Sequence, residues 1–336
     1  MNRSMSKGVF FLLVTILGPV WALEGQAPVP TIWEQRAKER FTRLTSTMQM
    51  EISQSQPQDS GLKKKKLKKP KRILLFWRCE TFIHTSIPSG NFALQEMARK
   101  TRAFSVELAD EYSVFNKKNL KGYDAILLNS TTSLKFENEK QRDAVLSFVR
   151  GGKGIIGIHA ASDNFYEWEG GAALLGGQFN GHPWTANGTW AFKLDDPTHP
   201  LNAAFKGEGF WHSDEIYQYK PSNYQGEENL RVLVSLDMSK PEVREPLNLE
   251  KFEKFNSQYD PGIREVPVSW IRGFGKGRLF YTNFGHREET YKNPVIMQHL
   301  YDGILYALGF TSADATPSAE LPAIPVALAP EKPASK

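Results

Sequence analysis

The stretch Gly151-Gly152-Lys153-Gly154-Ile155-Ile156-Gly157-Ile158-His159-Ala160-Ala161 carries the reading of the fold. Residues 155–158 are isoleucine or glycine without a break, the pattern of a short strand buried on both faces. Gly151-Gly152 stops a helix predicted over residues 138–150, whose Ala144, Val145, Phe148 and Val149 fall at helical spacing. At its other end the strand runs into His159, flanked by Gly157, Ala160 and Ala161. Small neighbours let a chain turn sharply while one side chain is held out, which is what a nucleophile elbow requires. Here the residue held out is an imidazole, which can move a proton near neutral pH or bind a metal.

Outward from this strand the rhythm continues. Residues 73–77, 104–108 and 125–128 are further apolar runs, and residues 91–101 show a helical face of Phe92, Leu94, Met97 and Ala98. Apolar strands alternating with helices predict a mainly parallel sheet with helices on both faces. Such sheets bind ligands beyond the carboxyl ends of their strands. Arg78, Cys79, Glu80, His84, Asp110, Asn129, Ser130, Thr131 and His159 fall there. The second half is richer in β-structure, with strands predicted over 190–194, 215–219, 230–236, 266–271 and 278–283. Residues 273–277, Gly-Phe-Gly-Lys-Gly, form a hairpin turn, and residues 293–308 close the domain with a helix. No phosphate-cradling glycine loop follows a strand.

The flanks read differently. Arg3 and Lys7 precede an apolar run at 8–20, and Ala22 offers a small residue for cleavage, so residues 1–22 are expected to be a signal peptide. That run is shorter than the roughly 20 residues a bilayer needs. The expected location is periplasmic or secreted. Trp33, Ala37, Phe41, Leu44 and Met48 predict one amphipathic helix over 32–50, followed by a polar, flexible stretch at 53–61. Residues 63–72, KKKKLKKPKR, hold eight basic side chains. Their mutual repulsion favours an extended linker, or a peripheral contact with an anionic envelope surface. Residues 23–70 therefore form an N-terminal helix and linker, 71–310 the main domain, and 311–336, with five prolines, a tail expected to be disordered.

Without the eight basic residues the net charge of +5 becomes −3, which argues against a nucleic-acid partner. A single cysteine excludes a disulfide framework and any cysteine-cluster metal site.

His84 and His182 lie in glycine- and proline-bearing loops, His212 in Trp-His-Ser-Asp-Glu at 211–215, and His286 at a strand end. His199 and His299 read as structural. No pair has the spacing of a known metal motif. Alternation puts Asp214 with Ile216 on one face and Glu215 with Tyr217 on the other, and Asp214 is the expected functional acid. Phe165, Tyr166, Trp168, Trp184, Trp190, Trp211, Tyr217 and Trp270 crowd these loops. Aromatic faces among Asp, Asn and His suit a sugar ring.

Several segments together resemble the ThuA-like (trehalose utilisation) family. They are residues 71–77 with His84 and Ile87-Pro88, GGKGIIGIHAASD at 151–163, LLGGQFNGHPW at 174–184, THPL at 198–201, DEIY at 214–217, and PVSWIRGFGKGRLFYTNFGH at 267–286. The resemblance implies a flavodoxin-like three-layer α/β sandwich of the class I glutamine amidotransferase-like superfamily. It also implies a role in the catabolism of trehalose, related disaccharides or keto-sugars. In amidotransferases of that superfamily the elbow carries a nucleophilic cysteine. Here it carries His159, while Cys79 lies elsewhere, so cysteine-dependent glutamine hydrolysis is not expected.

The expected protein is thus an exported enzyme acting on a small-molecule carbohydrate by histidine acid/base chemistry. His159, His212 and Asp214 are the expected catalytic groups. His84, His182, Trp184, Tyr217 and His286 are expected to bind substrate. The alternatives are a noncatalytic carbohydrate-binding or scaffolding module and a histidine-ligated metal-dependent sugar enzyme. Neither the residues nor the resemblance names a cofactor.

Overall fold

The computed structural model describes residues 32–62, 69–220, 229–247 and 265–332. The expected signal segment and most of the basic run lie outside these residues. No helix among the described residues is long and apolar enough to cross a membrane.

Nine strands form one sheet: β1 Lys71–Phe76, β2 Phe104–Ala109, β3 Ala125–Asn129, β4 Gly154–Ile158, β5 Trp190–Leu194, β6 Phe210–His212, β7 Arg231–Leu236, β8 Pro267–Phe274 and β9 Gly277–Thr282. Their spatial order is β2-β1-β3-β4-β9-β8-β7-β5-β6. The first five in that order run parallel, and from β9 onward each neighbour is antiparallel. The parallel half arises because β1, β3 and β4 are apolar on both faces. Ile73, Leu75 and Ile156 pack in the apolar core beneath helices Ile87–Thr101 and Pro294–Ala307. Leu74, Phe76 and Ile155 pack in the core on the other face, beneath helix Glu139–Arg150. Two cores separated by one sheet make the three-layer, flavodoxin-like sandwich. The loop from Gly273 to Gly277 joins β8 to β9 as a hairpin.

Four expectations need correction. The N-terminal segment forms two helices, Ile32–Arg40 and Ser46–Ser55, because the Thr45 hydroxyl accepts from the Met48 amide and starts the second one. The polar stretch after it is docked: Ser55 Oγ donates to the Lys292 carbonyl, and Tyr301 donates to that of Ser60. The proline-rich tail is also laid on the domain. Ala327 bridges Leu194 of β5, Ala329 is buried, and the Pro330 carbonyl accepts from the Trp211 indole. Backbone pairing and single small side chains hold these segments, and an apolar-periodicity argument does not register them. Residues 215–219, predicted as a strand, make only isolated bridges, Ile216 with Trp184 and Tyr219 with Phe179.

Candidate functional site

β1, β4 and β9 are parallel, so their carboxyl ends open on the same edge, and each is followed by a histidine: His84, His159 and His286. His159 adopts the left-handed φ of +48°. For a residue other than glycine this costs about 1–3 kcal/mol and persists only where the surroundings enforce it. Gly157 makes room for the turn, since a Cβ there would lie 2.7 Å from the Tyr281 ring and 3.2 Å from Ala161.

The His159 imidazole is fully buried. Its Nδ1 lies 2.9 Å from the Asn283 carbonyl, which can only accept, so the ring proton sits on Nδ1. Nε2 is left as an acceptor. It takes the Tyr217 hydroxyl at 3.0 Å and lies 3.1 Å from His286 Nδ1. His286 Nδ1 is also 3.1 Å from Glu215 Oε1, which is 3.8 Å from His159 Nε2. The other Glu215 oxygen meets His182 Nδ1 at 3.3 Å. His84 packs edge-on against both His159 and His286, with ring centroids 4.8 and 5.1 Å away. Its buried Nδ1 has no hydrogen-bond partner among the described residues. One potential ligand atom from each of His84, His159, Glu215 and His286 lies within 4.8 Å of the other three.

Burial, reinforced by the neighbouring imidazoles, holds His84 and His159 well below the ordinary histidine range. Burial also works to lower His286, but its hydrogen bond to Glu215 and that carboxylate's charge raise it overall. Burial and the charge of Glu215 keep the Tyr217 phenol protonated, well above its ordinary value. The cluster therefore combines neutral imidazole acceptors, one imidazole biased toward its cation, a carboxylate and a phenol donor.

Two of the expected catalytic residues lie outside this cluster. Asp214 is fully buried and serves as a clamp for the loop that carries His286. Its carboxylate accepts from the amides of Gly285 at 2.8 Å and Arg287 at 3.2 Å, and from the Thr290 hydroxyl at 2.8 Å. Burial pushes it up to about 6 against those bonds. His212 sits behind the clamp, with Nε2 3.1 Å from Thr290 Oγ1, and burial lowers it to about 4. Trp184, expected at the substrate, is wholly buried and donates to the Val243 carbonyl. Glu215, passed over in favour of Asp214, is the acid that meets the imidazoles. His84, His159, His182, Tyr217 and His286 do come together. Of the aromatic rings singled out, Phe165, Trp184, Trp190 and Trp270 belong to the core. Phe82, 52% exposed on the loop after β1, packs edge-on against His84 with ring centroids 4.8 Å apart, and Tyr166, 44% exposed, lies on the loop after β4.

Cys79 is buried, with Sγ 3.3 Å from the Ser130 carbonyl, and burial pushes the thiol up to about 12. An un-ionised, enclosed thiol is a poor nucleophile. A clasp ties the site's loops together: Glu288 Oε1 accepts from Thr85 at 2.8 Å and from Thr42 at 2.7 Å. It thereby links the loops of His84 and His286 to the N-terminal segment. Trp33 and Ala37 of helix Ile32–Arg40 pack against Cys79, Ile83 and Ile87 on the same side.

The fold and site define an α/β sandwich with a histidine-rich centre at the ends of its parallel strands. The trehalose-utilisation family, ThuA, matches residues 72–307, and the chain belongs to that family. Two solved structures share its fold. One is a ThuA-like protein from Bacteroides uniformis, 22% identical, with 71% of this chain and 92% of that one covered and a TM-score of 0.54. The other is a ThuA-like protein from Parabacteroides merdae, 17% identical, with coverage of 72% and 91% and a TM-score of 0.52. No curated protein matches the chain.

Proposed function

We propose that the protein is an enzyme of carbohydrate catabolism, acting on a disaccharide or keto-sugar at the cluster formed by His84, His159, His182, Glu215, Tyr217 and His286. The observation that carries this reading is convergence. Three imidazoles meet a buried carboxylate at one point, with a fourth imidazole on that carboxylate and a phenol against His159. A noncatalytic sugar-binding module needs an aromatic platform and has no use for so many proton-transfer groups packed together. Membership of the trehalose-utilisation family supports the carbohydrate class. So does Phe82, an exposed ring against His84 that suits the C–H face of a sugar ring.

The geometry divides the work in this reading. His159 is enclosed, with its Nδ1 committed to Asn283, so it anchors the cluster and does not itself reach substrate. His182, half exposed, and His286 stand toward solvent on either side of Glu215. They are the groups to exchange a proton with a sugar hydroxyl or with the carbon beside a carbonyl. Tyr217 supplies a donor to an oxygen that gains negative charge.

Incubation of the purified protein with a panel of disaccharides and their 3-keto forms, with product analysis, tests the proposal. Turnover of at least one sugar, reduced by about a hundredfold or more in Glu215→Gln, is expected. Binding without turnover across the panel would favour the binding module. Export through residues 1–22 belongs to the same proposal, and N-terminal sequencing of the mature protein checks it. A chain starting at Met1 would count against it.

A further inference from the structure

We infer that His84, His159, Glu215 and His286 bind one divalent first-row transition-metal ion, of the Zn²⁺ or Mn²⁺ type. The inference rests on reading this cluster as the reacting centre and adds the ion to it; with the ion bound, His286 is a ligand and proton exchange with the sugar falls to His182. Three imidazole nitrogens and one carboxylate oxygen suit such ions, whereas Ca²⁺ and Mg²⁺ take oxygen ligands.

The spacing fits. Donor atoms lie 3.1 Å apart for His159 and His286, 3.1 Å for His286 and Glu215, and 3.8 Å for His159 and Glu215. Four ligands on bonds of about 2.1 Å define a tetrahedron with edges of about 3.4 Å, between those values. The rings agree independently. Their centroids are 4.8, 5.1 and 5.1 Å apart, and each pair is nearly perpendicular. Imidazoles on one ion place their centroids about 4.5 Å apart at right angles and about 5.2 Å apart at the tetrahedral angle.

The surroundings are those of a metal site. A ligating histidine characteristically donates its other N–H to a carbonyl or carboxylate, which fixes the tautomer. His159 does this through Asn283, leaving Nε2 with its lone pair toward the cluster. The Asp214 clamp fixes the backbone on both sides of His286 through Gly285 and Arg287. Glu215 keeps one oxygen on His182 and turns the other into the cluster, where it meets His286. His84 is a buried imidazole with an unmatched Nδ1 among the described residues, a cost the protein carries without any visible return unless the cluster holds a guest. An ion on His159 Nε2 would take the lone pair that the Tyr217 hydroxyl now meets at 3.0 Å.

The test uses the full chain, stripped with a chelator and titrated in the absence of sugar with Zn²⁺ and separately with Mn²⁺. Calorimetry gives the affinity, and elemental analysis after gel filtration gives the stoichiometry. One ion per chain is expected, and Co²⁺ substitution should give visible absorption bands. His84→Ala and Glu215→Gln should each weaken binding by more than a hundredfold. His182→Ala should stay within the roughly 10–100-fold typical of second-sphere changes. Circular dichroism establishes that the variants fold, and Glu215→Gln decides the matter if His84→Ala does not. Absence of stoichiometric binding by the folded wild type, or wild-type affinity in folded Glu215→Gln, overturns the inference. Binding of one ion without turnover on the sugar panel leaves the metal site standing and removes the substrate reading.

Discussion

His299 and His159 are both fully buried, and burial drives both imidazoles below the ordinary histidine range. Around His299 every polar contact closes on fixed structure. Its Nδ1 meets the Leu201 carbonyl at 2.7 Å and its Nε2 the Ser269 hydroxyl at 2.9 Å. Around His159 one nitrogen is closed in the same way and the other faces Tyr217 and His286, groups that can themselves give or take a proton. Burial and a shifted pKa are thus shared by a structural histidine and a site histidine. What separates them is whether the partners are backbone and hydroxyl groups already committed elsewhere, or other titratable groups that compete for the same proton.

Glu215→Gln is the strongest attempt to break that contrast. It keeps the shape of the side chain but removes the charge that joins His182 to His286. Activity on any sugar the wild type processes should fall by about 10²–10⁴-fold, with little change in melting temperature. Normal turnover would place the chemistry elsewhere. His159→Gln should bring a loss in the same range, because the side-chain amide cannot reproduce both the donation to Asn283 and the acceptor at Nε2.

Asp214→Asn sharpens the comparison between a reacting acid and a positioning one. An amide cannot accept equally from Gly285, Arg287 and Thr290, so the His286 loop loosens. Activity should drop by about 10–100-fold, less than for Glu215→Gln, and the change should appear together with faster proteolysis or hydrogen exchange of that loop. Equal losses in the two variants would erase the distinction.

His299→Gln examines the structural side. An unfolded histidine titrates near 6.5, whereas His299 in the folded protein is held near 4 by burial. Between those values the unfolded chain takes up a proton that the folded one refuses, so stability is full above pH 6.5 and falls as pH drops toward 4. The contribution lost is up to about 3 kcal/mol. The variant should lose this part of the acid sensitivity while keeping activity at neutral pH, as followed by urea denaturation across pH. The smallest effect is expected from Cys79→Ser, which should leave turnover within a few-fold. The wild-type thiol should resist alkylation until the protein unfolds.

Much of the fold was legible because β1, β3 and β4 are short apolar runs between amphipathic helices, and the elbow at His159 follows from the glycines and alanines around it. The site was legible in part. Alternation along 214–217 correctly groups Glu215 with Tyr217, yet it cannot say which face turns toward the histidines. That depends on where the extended segment docks, and its bridges to Trp184 and Phe179 join residues 32 and 40 positions apart. Nearness in the chain points to Asp214, two residues from His212, whereas nearness in space picks out Glu215, beside His182 and His286. The docked tail escaped for a related reason. Its hold on β5 is a backbone bridge, and backbone groups have no signature in composition.

Thr42 lies ahead of the span matched to the family, yet its hydroxyl shares one oxygen of Glu288 with Thr85. A loop fixed at one point can swing; fixed to a neighbour and to a third segment, it behaves as a braced frame. A minimal domain cut at residue 72 would keep every imidazole of the cluster and lose this brace. The docking of a segment that contributes no reacting group thereby sets how steadily the loops of His84 and His286 keep their places.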